Sequence, residues 1–258
     1  MAVDVKRHAR HIVLKELGGP GQQKLSRARI TVIGAGGLGA PALLYLAAAG
    51  VGHLRVVDPD TVSLSNLQRQ ILFRTDDVDA AKAERARDVL TALDPGVSVE
   101  AVCERATVDT LPDLLEGADL VLDGCDDFAT RFAVNTAAIT AGIPLVSGAV
   151  GRWEGQVAVF APHQKPDAPC YQCWVPETPP DAEDCAVMGV VGALTGVIGS
   201  MMAMEAIKLI TGAGEPLIGR ICVYDGLSGR ARTVTLPASR SCPACASGRT
   251  DTPRTGPV

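Results

Sequence analysis

The sequence predicts an α/β protein built on a doubly wound, mostly parallel sheet. Two observations carry this prediction. Short β-branched runs alternate with helix-like apolar runs as far as about residue 150, and the first strand-like run leads directly into a glycine-rich segment, residues 34–39. After Gly151 the alternation ends, and the remaining strand-like runs indicate antiparallel strands. We therefore expect a Rossmann-like sheet that ends in antiparallel strands.

Each element can be placed by its pattern. The predicted strands of the first part cover residues 29–33, 53–57, 97–102 and 119–122, with another beginning at Pro144, and the predicted helices cover 40–49, 80–93, 107–115 and 129–141. In the second part, strands are predicted at 156–160, 220–224 and 230–236. The apolar stretch from Met188 to Met204 is interpreted as a buried helix rather than a membrane span, because Glu205 and Lys208 follow at once and glycine recurs within it.

Composition and charge argue against several classes of function. A net charge of −5 argues against a nucleic-acid surface, which normally needs a basic face. The N-terminal residues lack the apolar core of a signal peptide, so we expect a cytoplasmic protein without membrane contact. In that compartment its eight cysteines are first candidates for metal ligands or reactive thiols.

The glycine-rich segment predicts a nucleotide site. Gly34, Gly36, Gly37 and Gly39 follow a strand and open a helix, where backbone N–H groups can bind phosphate. Asp58 ends the next strand, 19 residues beyond Gly39, and can accept hydrogen bonds from a ribose. This pattern alone does not separate a dinucleotide from ATP, and an NAD-dependent oxidoreductase is the default reading.

The segment after the second strand favours a triphosphate. It contains Asp60, Asn66 and Arg69, and Lys82 begins the next helix. An NAD site has little use for two cations at this place. Transfer at the α-phosphorus of ATP, in contrast, requires positive groups that stabilise the negative charge of the triphosphate and of the leaving pyrophosphate. Arginine offers a bidentate fork for this task and lysine a point charge.

The run from Asp58 to Gln70, with its Asn-Leu-Gln-Arg-Gln core, resembles the ubiquitin-activating-like adenylyltransferases of the MoeB/ThiF/HesA kind. So do segments 34–39, 119–127, 144–148 and 196–208, and the resemblance covers roughly residues 4–245. It implies ATP contacts from Gly36, Asp58, Asn66, Arg69 and Lys82. It further implies that Asp126 holds Mg²⁺ and that Arg10 reaches into the site of a partner subunit. Here Arg10 lies in Ala-Arg-His where relatives often have Asn-Arg-Gln, and Cys125 and Asp127 replace the commoner Thr and Asn.

Two Cys-x-x-Cys pairs, Cys170/Cys173 and Cys242/Cys245, predict one structural Zn²⁺ site with four thiolate ligands. The 68 residues between the pairs exceed the spacing of a self-contained zinc finger, so the fold must bring them together. A redox pair and four unrelated thiols are the alternatives.

The remaining cysteines are interpreted separately. Cys185 follows a polar loop, where it is either a bystander or a thiol that acts in a later sulfur-transfer step. Cys103, Cys125 and Cys222 lie in strand-like surroundings and are expected to be small core residues.

The resemblance implies ATP-dependent adenylation of the C-terminal carboxylate of a ubiquitin-like sulfur-carrier protein ending in Gly-Gly. It also implies a homodimer, Mg²⁺ and Zn²⁺ as metals, and a separate sulfur donor, because the chain is too short for an appended rhodanese domain. We expect one adenylation domain at 1–246, with a nucleotide half at about 1–150, a carrier-binding and zinc half at about 151–246, and a disordered tail at 247–258. An NAD-dependent oxidoreductase and a non-catalytic carrier-binding scaffold are the competing functions.

Overall fold

One eight-stranded sheet organises the part of the chain that the computed structural model describes, residues 3–165, 167–178 and 189–246. The strands, in chain order, are β1 (Arg29–Ile33), β2 (His53–Val57), β3 (Ser98–Val102), β4 (Leu120–Asp123), β5 (Leu145–Gly151), β6 (Glu154–Phe160), β7 (Arg220–Asp225) and β8 (Arg230–Thr235). Their order across the sheet is β3-β2-β1-β4-β5-β6-β7-β8.

The first five strands are parallel. β1 pairs with β2 on one side and with β4 on the other, so successive crossovers run in opposite directions from β1. In such a doubly wound sheet, a crevice opens at the carboxyl ends of the strands where the direction reverses. The predicted Rossmann-like fold is confirmed, and the predicted limits of β1 and β2 agree with the structure.

The last three strands are antiparallel, as predicted. β6 pairs with β5 along seven residues, and β7 and β8 extend the sheet beyond it. β8 is the edge strand of the sheet. All six of its residues are exposed, so it buries little apolar surface.

Helices cover both faces of the sheet. The helices of the described residues are α1 (Ala9–Ile12), α2 (Gly18–Leu25), α3 (Gly39–Ala48), α4 (Lys82–Leu93), α5 (Leu111–Leu114), α6 (Phe128–Ala141), α7 (Tyr171–Trp174) and α8 (Gly192–Thr211). One apolar cluster joins α3, α4 and α8 to one face, and a second joins α5, α6 and α7 to the other.

The helix α8 is long and apolar enough to cross a membrane by length and composition. It packs on α3, β5 and β6, and Ile198 and Met202 within it are fully buried. Its apolar character therefore follows from its place in the core, in agreement with the sequence interpretation of this stretch.

Three sequence expectations about local structure were inaccurate. The helix predicted at 107–115 is limited to α5, because Thr107 and Thr110 exchange backbone-to-side-chain hydrogen bonds of 3.0 and 3.3 Å in place of helical ones. Cys103 is exposed rather than part of the core, because it lies just beyond the end of β3. Cys125 is only partly buried, whereas Cys222 is buried as expected.

The contact between α3 and α8 generates a stability prediction. A Cβ at Gly199 would lie 2.5 Å from both the Leu38 carbonyl oxygen and Pro41 Cγ, whereas a Cβ at Gly196 would meet nothing within 4 Å. Gly199→Ala should lower the free energy of unfolding by about 1–3 kcal/mol through overpacking. Gly196→Ala, the matched control on the same helix, should raise it by up to about 1 kcal/mol, because alanine loses less backbone entropy.

Urea unfolding followed by circular dichroism measures both variants. Equal effects of the two substitutions would contradict the close approach of α3 and α8.

Candidate functional site

A cavity of about 520 Å³ opens at the carboxyl ends of the parallel strands, beside the point where β1 and β4 are neighbours. Most of the residues selected from the sequence line it: Gly34, Gly36, Gly37, Asp58, Asp60, Arg69, Lys82 and Asp126. Gly39, Asn66 and Arg10 do not line it. Its size and its position at the reversal of strand order are typical of a nucleotide-binding crevice.

The glycine segment forms the floor of the cavity. Gly34 has a φ of +90°, a left-handed conformation that favours glycine. A Cβ at Gly39 would lie 1.9 Å from the Gly34 carbonyl oxygen, so Gly39 allows α3 to begin directly against the loop. Gly36 and Gly37 therefore face the cavity at the start of α3, where N–H groups without helical partners can bind an anion.

Asp58, Asp60 and Lys82 form a charged cluster on the β2 side of the cavity. The carboxylate of Asp58 accepts backbone hydrogen bonds from Ala35 N at 2.7 Å and Asp60 N at 2.9 Å. Burial raises the pKa of Asp58, and the nearby Lys82 ammonium opposes that rise. Lys82 is itself buried, with Nζ 2.9 Å from Asp60 Oδ2. A phosphate that enters here would compete with Asp60 for Lys82.

Arg69 enters the cavity from the segment after β2. Its Nη1 donates to the Ser65 carbonyl oxygen at 3.3 Å, and its backbone oxygen accepts from Thr195 Oγ1 at 3.3 Å. The start of α8 therefore holds the backbone of this segment through Thr195. Asn66 ends a short 3₁₀ turn, and its backbone oxygen accepts from Arg69 N and Gln70 N, both at 3.0 Å. In this arrangement the backbone of Asn66 organises the turn, while its side chain lies outside the cavity wall.

Asp126 projects from the loop between β4 and α6. It is exposed and lines the cavity, and it makes no hydrogen bond or ion pair with the part of the chain that the structure describes. The next residue, Asp127, caps α6 by accepting from Thr130 N at 2.8 Å. One carboxylate together with phosphate oxygens suits Mg²⁺, which binds few protein ligands and keeps several waters. Asp126 thus fits that ion.

A buried arginine that sequence reasoning missed holds the same loop. The Arg131 guanidinium donates to the backbone oxygens of Cys125 and, at 2.9 Å, Gly148, and pairs with Asp123 at 3.4 Å. Arg131 is only 6% exposed. Although burial disfavours its charge, the Asp123 carboxylate keeps the pKa of Arg131 above its usual value. Burial also raises the pKa of the Cys125 thiol well above its usual value, so this thiol stays protonated.

Arg105 is a second missed cation. It follows β3 and lines the cavity beside Ala106, at the carboxyl end of a strand next to β2. Its place after a parallel strand could have predicted this position, since the carboxyl ends of parallel strands lie at the same edge of the sheet. No comparable signal marked Arg131, because two of its partners, Ser147 and Gly148, lie on β5, which is distant in sequence.

The four predicted zinc ligands converge at one point. The Sγ atoms of Cys170, Cys173, Cys242 and Cys245 all lie within 4.8 Å of one another. The Cys170–Cys242 and Cys173–Cys245 pairs are 3.5 Å apart, and Cys170–Cys173 is 3.9 Å. Zn–S bonds of about 2.3 Å place tetrahedral sulfurs about 3.8 Å apart, so the cluster fits Zn²⁺.

The thiols of this cluster differ in pKa. Hydrogen bonding from the Cys170 thiol lowers the pKa of Cys173, and the same contact raises the pKa of Cys170. A thiolate is thus favoured at one corner of the cluster, which suits metal coordination because the ligand must be deprotonated. No disulfide joins the cysteines within the described ranges.

Two predicted residues stay apart from these sites. Arg10 is exposed on α1, outside the cavity of its own chain. Cys185 lies outside the described residues, so the choice between a bystander and a thiol of a later sulfur-transfer step stays open.

Comparison with known proteins gives consistent matches along the chain. A family model described as "ThiF family" matches residues 8–244. The SAMP-activating enzyme E1 of Haloferax volcanii is 44% identical, over 97% of this chain and 92% of its own. The sulfur carrier protein adenylyltransferase of Thermus thermophilus is 45% identical, over 94% and 91%. The molybdopterin-synthase adenylyltransferase of Salmonella typhimurium is 42% identical, over 94% and 96%.

The fold is shared with more distant solved structures. A crystal structure of E. coli MccB with MccA-N7isoASN superposes with a TM-score of 0.82 at 21% identity, covering 95% of this chain and 75% of that chain. At that identity the likeness supports the fold alone.

The cysteine cluster generates a prediction about metal content. We expect one tightly bound zinc per chain, and Cys242→Ser should lose it and lower the melting temperature, because structural zinc contributes directly to folding. Inductively coupled plasma mass spectrometry and differential scanning fluorimetry measure the two effects.

Cys222→Ser is the matched control, because Cys222 is a buried cysteine of β7 outside the cluster. Well under one zinc in the intact parent, or unchanged zinc in Cys242→Ser, would contradict the site.

Proposed function

The chain belongs to the ThiF family, and from that premise we propose that it uses ATP to adenylate the C-terminal glycine carboxylate of a ubiquitin-like sulfur-carrier protein. Relatives 42–45% identical to it are named adenylyltransferases of a sulfur carrier or of molybdopterin synthase. The observation that carries the proposal is the cavity, which joins a glycine-lined helix start to Asp58, Lys82, Arg69 and Asp126.

In the proposed reaction, a carboxylate oxygen of the carrier attacks the α-phosphorus of ATP. The bond between that phosphorus and the bridging oxygen of pyrophosphate breaks, and acyl-adenylate and pyrophosphate result. The enzyme needs no covalent intermediate for this step. Its contribution is to orient the two substrates and to stabilise charge that develops on the phosphates.

Each cavity residue has a role that follows from its chemistry. Backbone N–H groups of Gly36 and Gly37 bind phosphate, and the Asp58 carboxylate accepts from the ribose hydroxyls. Arg69 and Lys82 hold phosphate oxygens, with Lys82 exchanging its pairing with Asp60 for the ligand. Gly34 and Gly39 shape the loop, and Asn66 fixes the turn that presents Arg69.

Asp126 is the proposed ligand of Mg²⁺, which supplies positive charge to the phosphates when it is bound. The charge of the cavity supports the need for that ion. The described residues of its wall include four basic side chains (Arg69, Lys82, Arg105 and Arg131) and four acidic ones (Asp58, Asp60, Asp126 and Asp127), so their formal charges cancel. A triphosphate would therefore enter a cavity whose lining side chains carry no net positive charge.

A second subunit would supply further positive charge. We assign Arg10 to the neighbour's site, because this exposed residue lies outside the cavity of its own chain. Apolar side chains exposed on α3 and α8 support pairing of two copies: Tyr45 is 59% exposed and Met204 58%. Both helices begin beside the cavity.

The remaining assignments rest on the resemblance and on composition. The zinc ligands Cys170, Cys173, Cys242 and Cys245 have a structural role, and Cys185 is assigned only to a later sulfur-transfer step. A separate donor supplies sulfur, and the protein acts in the cytoplasm. One adenylation domain spans residues 1–246, and the continuous sheet across both of its halves supports that unit.

Two competing functions give different results in the same assay. An NAD-dependent oxidoreductase would bind a nicotinamide cofactor, and a carrier-binding scaffold would bind the carrier without turnover. Neither would catalyse exchange of labelled pyrophosphate into ATP that depends on the carrier. The names of the relatives favour adenylation over both.

The phosphate role of Lys82 generates a prediction. Lys82→Ala should lower carrier-dependent ATP–pyrophosphate exchange by about 100-fold or more, because it removes a preorganised charge from the transition state. Exchange of labelled pyrophosphate measures the rate, and melting temperature reports folding. Arg87→Ala on the same helix is the control, since Arg87 is partly exposed, lies outside the cavity and, within the described part of the chain, forms its ion pair with Asp88. An unchanged rate in Lys82→Ala would refute the phosphate role.

The proposed action of Arg10 across the dimer predicts complementation. Arg10→Ala and Lys82→Ala chains should each be nearly inactive, and their mixture should recover up to about a quarter of parental exchange. In this estimate half of randomly mixed dimers are heterodimers, and each heterodimer contains one intact site of its two. Differently tagged chains confirm that subunits exchange. A mixture with demonstrated heterodimers but without recovery would show that Arg10 does not act in the neighbour's site.

A further inference from the structure

The N-terminal segment, residues 4–13, carries Arg10 and is fastened to the C-terminal end of α4. The Arg7 guanidinium donates to the Leu93 carbonyl oxygen at 3.0 Å, and its Nε lies 3.6 Å from Asp94 Oδ1. Leu93 is the last residue of α4, so its carbonyl oxygen has no partner within the helix. The helix dipole also favours a cation at this end.

Two histidines hold the same segment to the end of α3. His8 is only 7% exposed, and a Cβ at Gly50, just beyond α3, would lie 2.6 Å from His8 Cε1. His11 Nδ1 lies 3.1 Å from Gln22 Oε1, and Gln22 Nε2 donates to the Ala49 carbonyl oxygen at 2.7 Å. The N-terminal segment therefore contacts the ends of both helices.

Asp94 is the buried anchor of this docking, with 5% of its surface exposed. Its Oδ1 accepts from Gly96 N at 2.9 Å, which fixes the carboxylate in the turn after α4. His8 Nε2 lies 3.8 Å from the other carboxylate oxygen, Oδ2. A buried carboxylate is costly without a cationic partner, and the Arg7 guanidinium is the cation that the N-terminal segment supplies.

The two helices connect this docking to the cavity. α3 begins at the glycine segment and α4 begins at Lys82, so both start at the cavity, and the N-terminal segment lies at their opposite ends. α4 has 12 residues and is therefore about 18 Å long. Arg10 is thus exposed at a place remote from the cavity of its own chain, as action in a neighbouring copy requires.

We propose that Arg7 and Asp94 are positioning residues, which fix Arg10 by docking the N-terminal segment on the ends of α3 and α4. This inference rests on the proposed action of Arg10 in the neighbour's site. A helix of four residues is not stable by itself, so α1 depends on these contacts. Without them the segment opens more often, and Arg10 loses its fixed position relative to the neighbour.

Hydrogen–deuterium exchange of the peptide that contains α1 tests the docking without turnover. Two backbone N–H groups of this peptide, those of Ile12 and Val13, donate to carbonyl oxygens one helical turn earlier. Their deuterium uptake, measured by mass spectrometry, should become about fivefold faster or more in Arg7→Gln and in Asp94→Asn, because each substitution removes a charged contact that holds the segment closed.

Both variants should fold. Arg7 is exposed, and Asp94→Asn keeps a side-chain oxygen that can accept from Gly96 N. The melting temperature checks this. Lys6→Gln is the matched control, because Lys6 is the exposed neighbour of Arg7 and its side chain has no hydrogen bond or ion pair within the described residues.

A second readout locates the defect. Carrier-dependent ATP–pyrophosphate exchange should fall about tenfold or more in Asp94→Asn, since a shift of about 1 Å in a charge-stabilising group is enough for such a loss. If the affected group is Arg10 in the neighbour's site, a mixture with Lys82→Ala chains should recover about a quarter of parental exchange. Damage confined to the chain's own α4 would leave only about a twentieth.

The outcomes separate this inference from the proposed function. Unchanged deuterium uptake in both variants, or an equal increase in Lys6→Gln, would overturn the docking. Faster uptake without loss of pyrophosphate exchange would overturn the positioning role, as would a mixture of Asp94→Asn with Lys82→Ala that stays near a twentieth while the Arg10→Ala mixture recovers. If Arg10→Ala itself is not complemented, the proposed role of Arg10 fails, and deuterium uptake still decides the docking.

Discussion

The shape of the cavity depends on the close approach of three backbone segments, which leaves no room for side chains between them. The loop after β1, the start of α3 and the loop after β4 come together at Gly34, Gly39 and Gly124. A Cβ at Gly39 would lie 1.9 Å from the Gly34 carbonyl oxygen, and one at Gly124 would lie 3.3 Å from Gly39 N. Because of this approach, the N–H groups at the start of α3 and the Asp126 loop face one another across the crevice.

Several buried charges of the site already have partners within the protein. Lys82 pairs with Asp60, Arg131 pairs with Asp123, and the carboxylate of Asp58 accepts two backbone N–H groups. Such pairing lowers the cost of burying these groups before any ligand arrives. It also means that a polyanionic ligand must displace a partner or bring its own cation. In the proposed function, Lys82 exchanges Asp60 for a phosphate oxygen, and Mg²⁺ and the neighbour's Arg10 would supply the remaining positive charge.

The sequence predicted the parts of the molecule whose causes are local. β-branched runs and the glycine segment placed β1, β2 and the start of α3 to within a residue. The Cys-x-x-Cys spacing selected four ligands that the fold brings within 4.8 Å. Asp58 was found because it directly follows β2, and Arg69 and Lys82 because they are cations in the polar segment after β2 and at the start of α4. For Arg105 the same reasoning would have sufficed had it been applied to β3.

What sequence reasoning missed depends on contacts between distant segments. An arginine within a helix is usually a solvated surface residue. Nothing near Arg131 in the chain shows that β5 supplies the Gly148 carbonyl oxygen and the Ser147 hydroxyl. The same limit applies to Asn66, whose motif indicates importance but does not distinguish a ligand contact from a turn held by backbone oxygens.

The end of the described chain, from β8 to residue 246, buries little apolar surface of its own. β8 is exposed along its whole length, and residues 237–246 form no regular strand or longer helix. The cluster at the end of this segment contains three buried cysteines with small apolar neighbours, which bury too little area to order the chain by themselves. Four thiolates bound to one divalent cation would hold this segment to Cys170 and Cys173 with strong, short-range bonds. Because the first pair of these cysteines flanks Tyr171, the same bonds would also fix one wall of the cavity, so that stability and site geometry share one structural element.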